Sequence, residues 1–462
     1  NIIFLMTPPL TRVLLVRHGR STFNDQGRYQ GSSDESVLTE KGRKDAQLVG
    51  HYLNQRLAYC PIDLVYSSPL RRVQQTANVI VQSLDPSHRP PLIINPDLKE
   101  ISLSLWEGLT YAQVKQQFPQ QYQRWQEQPA AFELPLASAH SDSHSAYSRS
   151  YSANTRTDHS TATTERMQAT AAAVKVNVNS DVNSVVATQT YFPVRQLYQS
   201  AQQFWQTILS THAGKTILVV SHSGTIHALI STALNISPEH HHSLQQSNCG
   251  ISELTFQATS EEHKRSTAIS QPVSKPADAS SSSCSNLGYR VQLSQLNQTA
   301  ALGERLPKLK VSKTGLRLLL LSRDGLSLDH CERLAKQMQP LSLNFCIASA
   351  DLPLISRKLM QHHSNASFID AQSSDFLQVW QQQWVDSYRT NKTLMTKMLV
   401  TGLVLAPAAA IQKLLCQTLG FSSDRHTHRF TSPQIEIAPQ HLSVIHYSYR
   451  HRPVVQSINT FL

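Results

Sequence analysis

Near its start the chain reads Thr11-Arg12-Val13-Leu14-Leu15-Val16-Arg17-His18-Gly19. Residues 11–16 form a short apolar, β-prone run, with prolines before it and Arg17-His18-Gly19 after it. That pattern predicts a buried strand with polar groups at its carboxyl end. The same grammar recurs downstream. Thr39 is placed to cap a helix reaching about Gln55, where Ala46, Val49, Tyr52 and Leu53 keep a spacing of three to four. Ile62–Ser67 reads as a second strand and Pro69–Ser83 as a helix. Ile217–Val220 reads as a strand ending at Ser221-His222, followed by a helix over 224–234. Leu197, Ala201, Phe204, Trp205 and Ile208 make another helical stripe. Strands alternating with helices predict an α/β fold with a mostly parallel sheet. Ligand groups then belong at the carboxyl ends of its strands.

Composition narrows the function classes. The 462 residues are 40% hydrophobic, 7% aromatic and 16% charged. No window approaches the roughly 18 uninterrupted apolar residues of a spanning helix, so a membrane protein is not expected. Six cysteines are scattered with no CxxC pair, which argues against a disulfide scaffold or a cysteine zinc site and fits a reducing compartment. The net charge of +11 can serve nucleic acid, a membrane surface or an anionic small substrate. Because the basic residues stand singly or in pairs, nucleic-acid binding has no support as the main function. The chain begins Asn-Ile-Ile-Phe-Leu before Met6, and Met6 reads as the start. The short apolar stretch lacks a basic flank and meets Pro8-Pro9, so it does not read as an export signal. A cytoplasmic location is expected.

Two stretches break the α/β pattern. Residues 137–189 are Ser, Thr, Ala, Asn and His without period and read as a disordered insertion hanging free of the fold. Residues 258–287 are similar. From about 313 the chain repeats itself: Leu318 to Gly325 echoes Arg12 to Gly19, and Leu403-Val404-Leu405-Ala406-Pro407 lies in register with Leu218-Val219-Val220-Ser221-His222. An internal duplication is the economical account. The expected organisation is an extension over 1–10, a first domain over 11–300, a linker over 301–312 and a second copy over 313–462.

Four polar clusters fall at strand or helix ends: Arg17-His18-Gly19, Arg71-Arg72, Glu100 and Ser221-His222-Ser223-Gly224. Each alone is a weak signal, but together they suggest one reaction. Guanidinium forks match phosphate oxygens. A neutral imidazole can attack phosphorus and form phosphohistidine, and a second can donate to oxygens where charge grows. A carboxylic acid can protonate the leaving oxygen and then activate water. Fixed charge and positioning suffice for this, so neither metal nor cofactor is expected.

These residues carry a family resemblance. Arg17-His18-Gly19-Arg20-Ser21-Thr22-Phe23-Asn24 matches an RHGxSxxN signature, and Gly31, Asp34 and Leu38-Thr39-Glu40-Lys41-Gly42 match the segment after it. Ser68-Pro69-Leu70-Arg71-Arg72-Val73-Gln74-Gln75-Thr76-Ala77 matches SPLxRAxQTA, with Val73 in place of Ala. Leu98-Lys99-Glu100 with Trp106-Glu107-Gly108 matches an LxE…WEG block. Ser221-His222-Ser223-Gly224 and Asn248-Cys249-Gly250-Ile251-Ser252 complete the series. The chain thus resembles the histidine phosphatase superfamily, the phosphoglycerate mutase-like proteins.

The resemblance implies a three-layer sandwich around the sheet, duplicated here as two domains. It implies His18 as nucleophile, Glu100 as proton donor and base, and His222 as catalytic partner. Arg17, Asn24, Arg72, Ser223 and Gly224 would hold the phosphate, Arg72 rather than Arg71 following from the motif spacing. Lys99-Glu100-Ile101 looks like the phosphatase branch, giving hydrolysis of a small phosphorylated metabolite. A phosphoglycerate mutase and a non-catalytic binding protein are the alternatives, and a homodimer is open. Leu103-Ser104-Leu105 departs from the family's aromatic pattern before Trp106 and bears on substrate choice. Asp324 and Pro407 stand where His18 and His222 would, and Ser349-Ala350-Asp351-Leu352-Pro353 offers no arginine, so the second copy is expected to be inactive. His240-His241-His242 reads as a solvated loop rather than a metal site.

Overall fold

The computed structural model describes residues 9–58, 60–135, 190–259, 288–310, 312–349, 352–371, 397–421, 434–449 and 451–461. The insertion read at 137–189 lies outside them, as do Met6 and all of 258–287 except Ala258 and Thr259. Contacts divide the chain into a large unit and a smaller one, Glu133–Tyr191. Within the smaller unit, β4 (Leu134–Pro135) pairs antiparallel with β5 (Thr190–Tyr191).

The large unit is built on one sheet. Its first strands are β1 (Leu10–Arg17), β2 (Leu64–Ser67), β3 (Leu92–Ile94), β6 (Thr216–Ser221), β7 (Ile251–Ala258) and β8 (Tyr289–Gln298). Then come β9 (Gly315–Ser322), β10 (Phe345–Ala348), β11 (Ser367–Asp370), β12 (Leu399–Ala406), β13 (Gln434–Ile435), β14 (Leu442–Ser448) and β15 (His451–Thr460). The order across the sheet is β11-β10-β12-β9-β14-β15-β8-β7-β1-β6-β2-β3, with β13 beside β8. From the centre outward, β8-β7-β1-β6-β2-β3 and β15-β14-β9-β12-β10-β11 follow the same plan. Each half is parallel in its outer four strands and antiparallel toward the centre.

The halves meet where β8 and β15 run antiparallel with Leu296 opposite Ile458. The seam is reciprocal. Asn297 Nδ2 donates to the Gln456 carbonyl and Asn459 Nδ2 to the Ser294 carbonyl, both at 2.7 Å. Both asparagines take a left-handed φ of 53°, a conformation their short polar side chains tolerate better than most. Leu296 and Ile458 mark the local two-fold axis of this exchange.

Helices cover both faces, because alternate strand residues must each find an apolar partner. Leu14, Val16, Val65, Leu218 and Val220 bury one face against Ala46, Val49 and Leu53 of the Glu40–Arg56 helix and Val73, Ala77 and Ile80 of the Arg71–Gln82 helix. Thr39 caps the first of these by accepting from the Gly42 amide. On the other face the Pro193–Thr211 helix lays Phe204 on Tyr66 and Trp205 on Phe256, and the Trp205 indole donates to Leu229 O in the Ser223–Leu234 helix. In the carboxy-terminal half, the Leu328–Met338 and Pro353–Leu359 helices repeat the first arrangement over Leu319, Leu321, Leu403 and Leu405. The helix expected over 69–83 begins at Arg71, since Pro69 and Leu70 form the turn that delivers it. Among the described residues no helix is long and apolar enough to cross a membrane.

Candidate active site

Parallel register explains why distant residues meet. Arg17 pairs with Ser221 across β1 and β6, and Ser67 with Val220 across β2 and β6. The strands therefore release His18, Ser68 and His222 side by side at their carboxyl ends. The imidazole centroids of His18 and His222 lie 5.4 Å apart, close enough to face one tetrahedral group. After β3 the chain turns through Pro96–Leu98. It is pinned there by Ser221 Oγ donating to the Leu98 carbonyl and Thr225 Oγ1 to the Lys99 carbonyl, which delivers Glu100.

His18 is buried and its Nδ1 lies 2.8 Å from the Gly19 carbonyl. A carbonyl only accepts, so Nδ1 carries the proton and Nε2 keeps its lone pair. Burial, then Arg17 and Arg72, hold this imidazole well below its ordinary range, so it is neutral at neutral pH. The loop bearing it is fixed by the Gly19 amide donating to Thr76 Oγ1 and by Asn248 Nδ2 donating to the His18 and Gly19 carbonyls. A side chain at Gly19 would meet the Gly42 carbonyl at 2.6 Å, which explains the glycine.

Arg72 is fully buried. Its Nη1 donates to the Ser33 carbonyl at 2.7 Å, while Nη2 donates to the Gly31 carbonyl at 2.9 Å and faces His222 Nδ1 at 3.2 Å. Burial lowers its pKa to about 10, which leaves it cationic at neutral pH. Arg17 Nη1 donates to the Gln246 carbonyl. The Nε atoms of Arg17 and Arg72 are buried without a partner, donors unsatisfied at rest. Arg71, by contrast, is exposed and bound to Asp34.

His222 is fully buried; its Nε2 lies 2.8 Å from Ser68 Oγ. Burial and then Arg72 push its pKa well down. Glu100 accepts from the Gly224 amide at 3.2 Å and from the Ile101 amide at 3.0 Å. A Cβ at Gly224 would sit 2.6 Å from Glu100 Oε1, so glycine lets the carboxylate approach the helix start. Asn24 Oδ1 accepts from Asn248 Nδ2 and the Ser21 amide.

Arg17, His18, Asn24, Arg72, Glu100, Ser223 and Gly224 line one cavity of about 480 Å³. His222 stands behind it, against Arg72 and His18. Of the eight residues singled out in the sequence, seven border this space and the eighth touches two of them.

The histidine triplet departs from expectation. It lies in a 3-10 turn, Pro238–Ser243, not a solvated loop. His241 is buried, His242 Nε2 donates to the Trp125 carbonyl, and both line the cavity with His227. Apolar contact with Trp125 and Tyr198 draws these rings inward. No group of three or more metal-ligating side chains occurs among the described residues.

Sequence reasoning assigned no role to Ser68, Asn248 or Gln246, although Ser68 and Asn248 stand in the matched blocks. It also missed Lys310, placed in a linker. Lys310 borders the cavity, and its Nζ donates to the same Gln246 carbonyl that receives Arg17. Nothing in local sequence signals this, because the contact depends on how the segment before β9 crosses the sheet.

In the carboxy-terminal half the corresponding strand end carries Asp324. Its Oδ2 accepts from the Ala408 amide at 2.8 Å, at the first residue of the Ala408–Thr418 helix. The carboxylate occupies a helix start of the kind that binds anions.

Comparison with known proteins agrees with the fold. The chain is 34% identical over 245 residues to an Arabidopsis thaliana protein described as "Probable 2-carboxy-D-arabinitol-1-phosphatase", covering 53% of this chain and 38% of that one. It is 33% identical over 252 residues to 2-carboxy-D-arabinitol-1-phosphatase of Triticum aestivum, covering 54% and 38%. It is 35% identical over 126 residues to Phosphoserine phosphatase 1 of Hydrogenobacter thermophilus, covering 27% and 55%. The matched stretch thus spans well under half the length of the two plant relatives. The model of the histidine phosphatase superfamily, branch 1, matches residues 13–162 and 161–268, more than half of the sequence. With the sheet order and the matched strand ends, this makes the chain a member of the histidine phosphatase superfamily.

Proposed function

We propose that the chain hydrolyses a small phosphomonoester through a phosphohistidine at His18. The observation that carries the reading is the His18 ring, neutral, with Nδ1–H committed to the Gly19 carbonyl and the charges of the buried Arg17 and Arg72 guanidiniums acting on it. Arg17 and Arg72 bind the phosphate oxygens, their unsatisfied Nε–H groups included. Asn24 offers its amide donors, the oxygen being already taken, and the amides at Ser223-Gly224 contribute the helix start. Nε2 of His18 attacks phosphorus, and an N–P bond forms as the ester P–O bond breaks. The leaving oxygen takes the proton of Glu100. A water then loses a proton to Glu100 and attacks phosphorus, releasing phosphate and the free imidazole. His222 donates to the phosphoryl oxygens as charge develops there.

The names of the two plant relatives support a phosphorylated sugar acid as the substrate type. The Lys99-Glu100-Ile101 block supports hydrolysis over transfer to a second hydroxyl. We assign the carboxy-terminal half no catalytic role, a reading supported by Asp324 in the place of His18 and by its bond to the Ala408 amide. The free thiols of Cys60, Cys249, Cys331, Cys346 and Cys416 are consistent with a reducing, cytoplasmic setting.

The test is hydrolysis of 4-nitrophenyl phosphate with EDTA present, beside His18→Ala. Turnover is expected in the chelator, because fixed cations supply the charge. The variant should lose about a thousandfold or more by losing the covalent step. Undiminished turnover in His18→Ala would refute the mechanism.

A further inference from the structure

Charge around the cavity is strongly one-sided. Arg17, Arg28, Arg72, Lys115, Lys310 and Arg452 border it, and the one carboxylate among its lining residues is Glu100. The proposed reaction accounts for only part of this. A phosphate dianion balances Arg17 and Arg72, and Glu100 must enter the reaction protonated to serve as the acid. The remaining cations face no anion that the phosphate supplies.

Lys310 is distinct among them by position. The Arg28 guanidinium donates to the Gly108 carbonyl, Lys115 lies over the Tyr122 ring at 5.1 Å, and Arg452 reaches the Glu239 and Glu127 carbonyls. Lys310 instead shares one neutral acceptor, the Gln246 carbonyl, with Arg17. Burial and then the Arg17 charge push the Lys310 amine well below its ordinary range, with Glu304 opposing them only in part, so an anion beside Lys310 is what would hold it as an ammonium next to Arg17. No ion pair to Lys310 occurs among the described residues. Sharing that carbonyl with Arg17 places it at the reacting end of the cavity rather than its mouth.

We propose that Lys310 is a specificity-determining residue whose ammonium pairs with a second anionic group, a carboxylate or a further phosphate, on the ester being cleaved. The segment joining the two halves of the sheet thereby completes a pocket that the amino-terminal half forms only in part. The neutral imidazoles of His227, His241 and His242 along the same wall suit hydroxyl groups between the two anions. This inference rests on the phosphatase reading for the position of the phosphate.

The experiment compares matched esters. Kinetics are measured for 6-phosphogluconate against glucose 6-phosphate, for fructose 1,6-bisphosphate against fructose 6-phosphate, and for 4-nitrophenyl phosphate. Lys310→Met should lower kcat/KM about tenfold or more for whichever ester carries the second anion, mainly through KM. Glucose 6-phosphate, fructose 6-phosphate and 4-nitrophenyl phosphate should stay within about twofold, and Lys310→Arg should recover part of the loss. The gluconate and bisphosphate arms identify which anion is read. An equal loss on every ester, or an unchanged ratio within both pairs, overturns the proposal. Should the chain turn over none of them, the phosphatase reading fails separately. Titration of 6-phosphogluconate and fructose 1,6-bisphosphate into the His18→Ala protein then decides, with weaker binding after Lys310→Met supporting the proposal and equal or absent binding overturning it.

Discussion

Ser68 Oγ and His222 Nε2 stand 2.8 Å apart, both residues fully buried. Arg72 donates toward the other ring nitrogen, so in the resting site Nε2 carries the proton and gives it to the serine. A hydroxyl both donates and accepts, so Ser68 can support either tautomer of His222 in the proposed reaction. Ser68→Ala should reduce kcat about tenfold, the scale of one lost hydrogen bond in a buried site, with a smaller change in KM. Steady-state kinetics beside a thermal melt separates this from misfolding. An unchanged kcat would remove Ser68 from the machinery.

Glu100 is held by the Gly224 and Ile101 amides at the edge of the cavity. If it protonates the leaving oxygen, its importance depends on how badly that oxygen needs a proton. Glu100→Gln should slow hydrolysis of an alkyl phosphate by about 10²–10⁴-fold, yet slow the first step with 4-nitrophenyl phosphate far less. Burst-phase measurement of nitrophenol release against phosphate release reads the difference. Equal losses for both leaving groups would assign the proton to another residue.

The imidazoles along the cavity tie stability to pH. Burial holds His242 down at about 4 and His227 at about 3, and pushes His241 well down too. In the unfolded chain each takes up a proton near its ordinary value of about 6.5. Between that value and about 4 the unfolded state therefore binds more protons, so stability falls as pH falls, by at most about 1.4 kcal/mol per unit for each imidazole. Melting temperature should drop steadily from pH 7 to pH 4.5, and His242→Gln, which keeps a donor for the Trp125 carbonyl, should flatten that slope. A melting temperature independent of pH over this window would contradict the assignment.

Much of the site could be read in the sequence because its parts sit at strand ends, where local pattern is strongest. Hydrophobic runs ending at Arg17-His18 and Ser221-His222, with the Arg71-Arg72 pair at a helix start, told where the polar groups would gather. What stayed hidden depends on tertiary approach. The Gly19 carbonyl that fixes His18 belongs to the backbone, and backbone acceptors have no letter in a sequence. The triplet at 240–242 looked solvated because its polarity is local while Trp125, which draws it inward, lies more than a hundred positions away. Lys310 read as linker since no periodicity marks a residue whose partner is a carbonyl across the sheet.

The reciprocal Asn297 and Asn459 contacts across β8 and β15 have one more implication. An exchange of this kind is what two identical subunits would make along a shared edge, yet here a single polypeptide supplies both sides. The edge on which such subunits would associate is already spent inside the molecule. With two unequal halves in place of two equal subunits, one half supplies the strand ends that carry the cavity and the other contributes to its walls through His451, Arg452 and Val454.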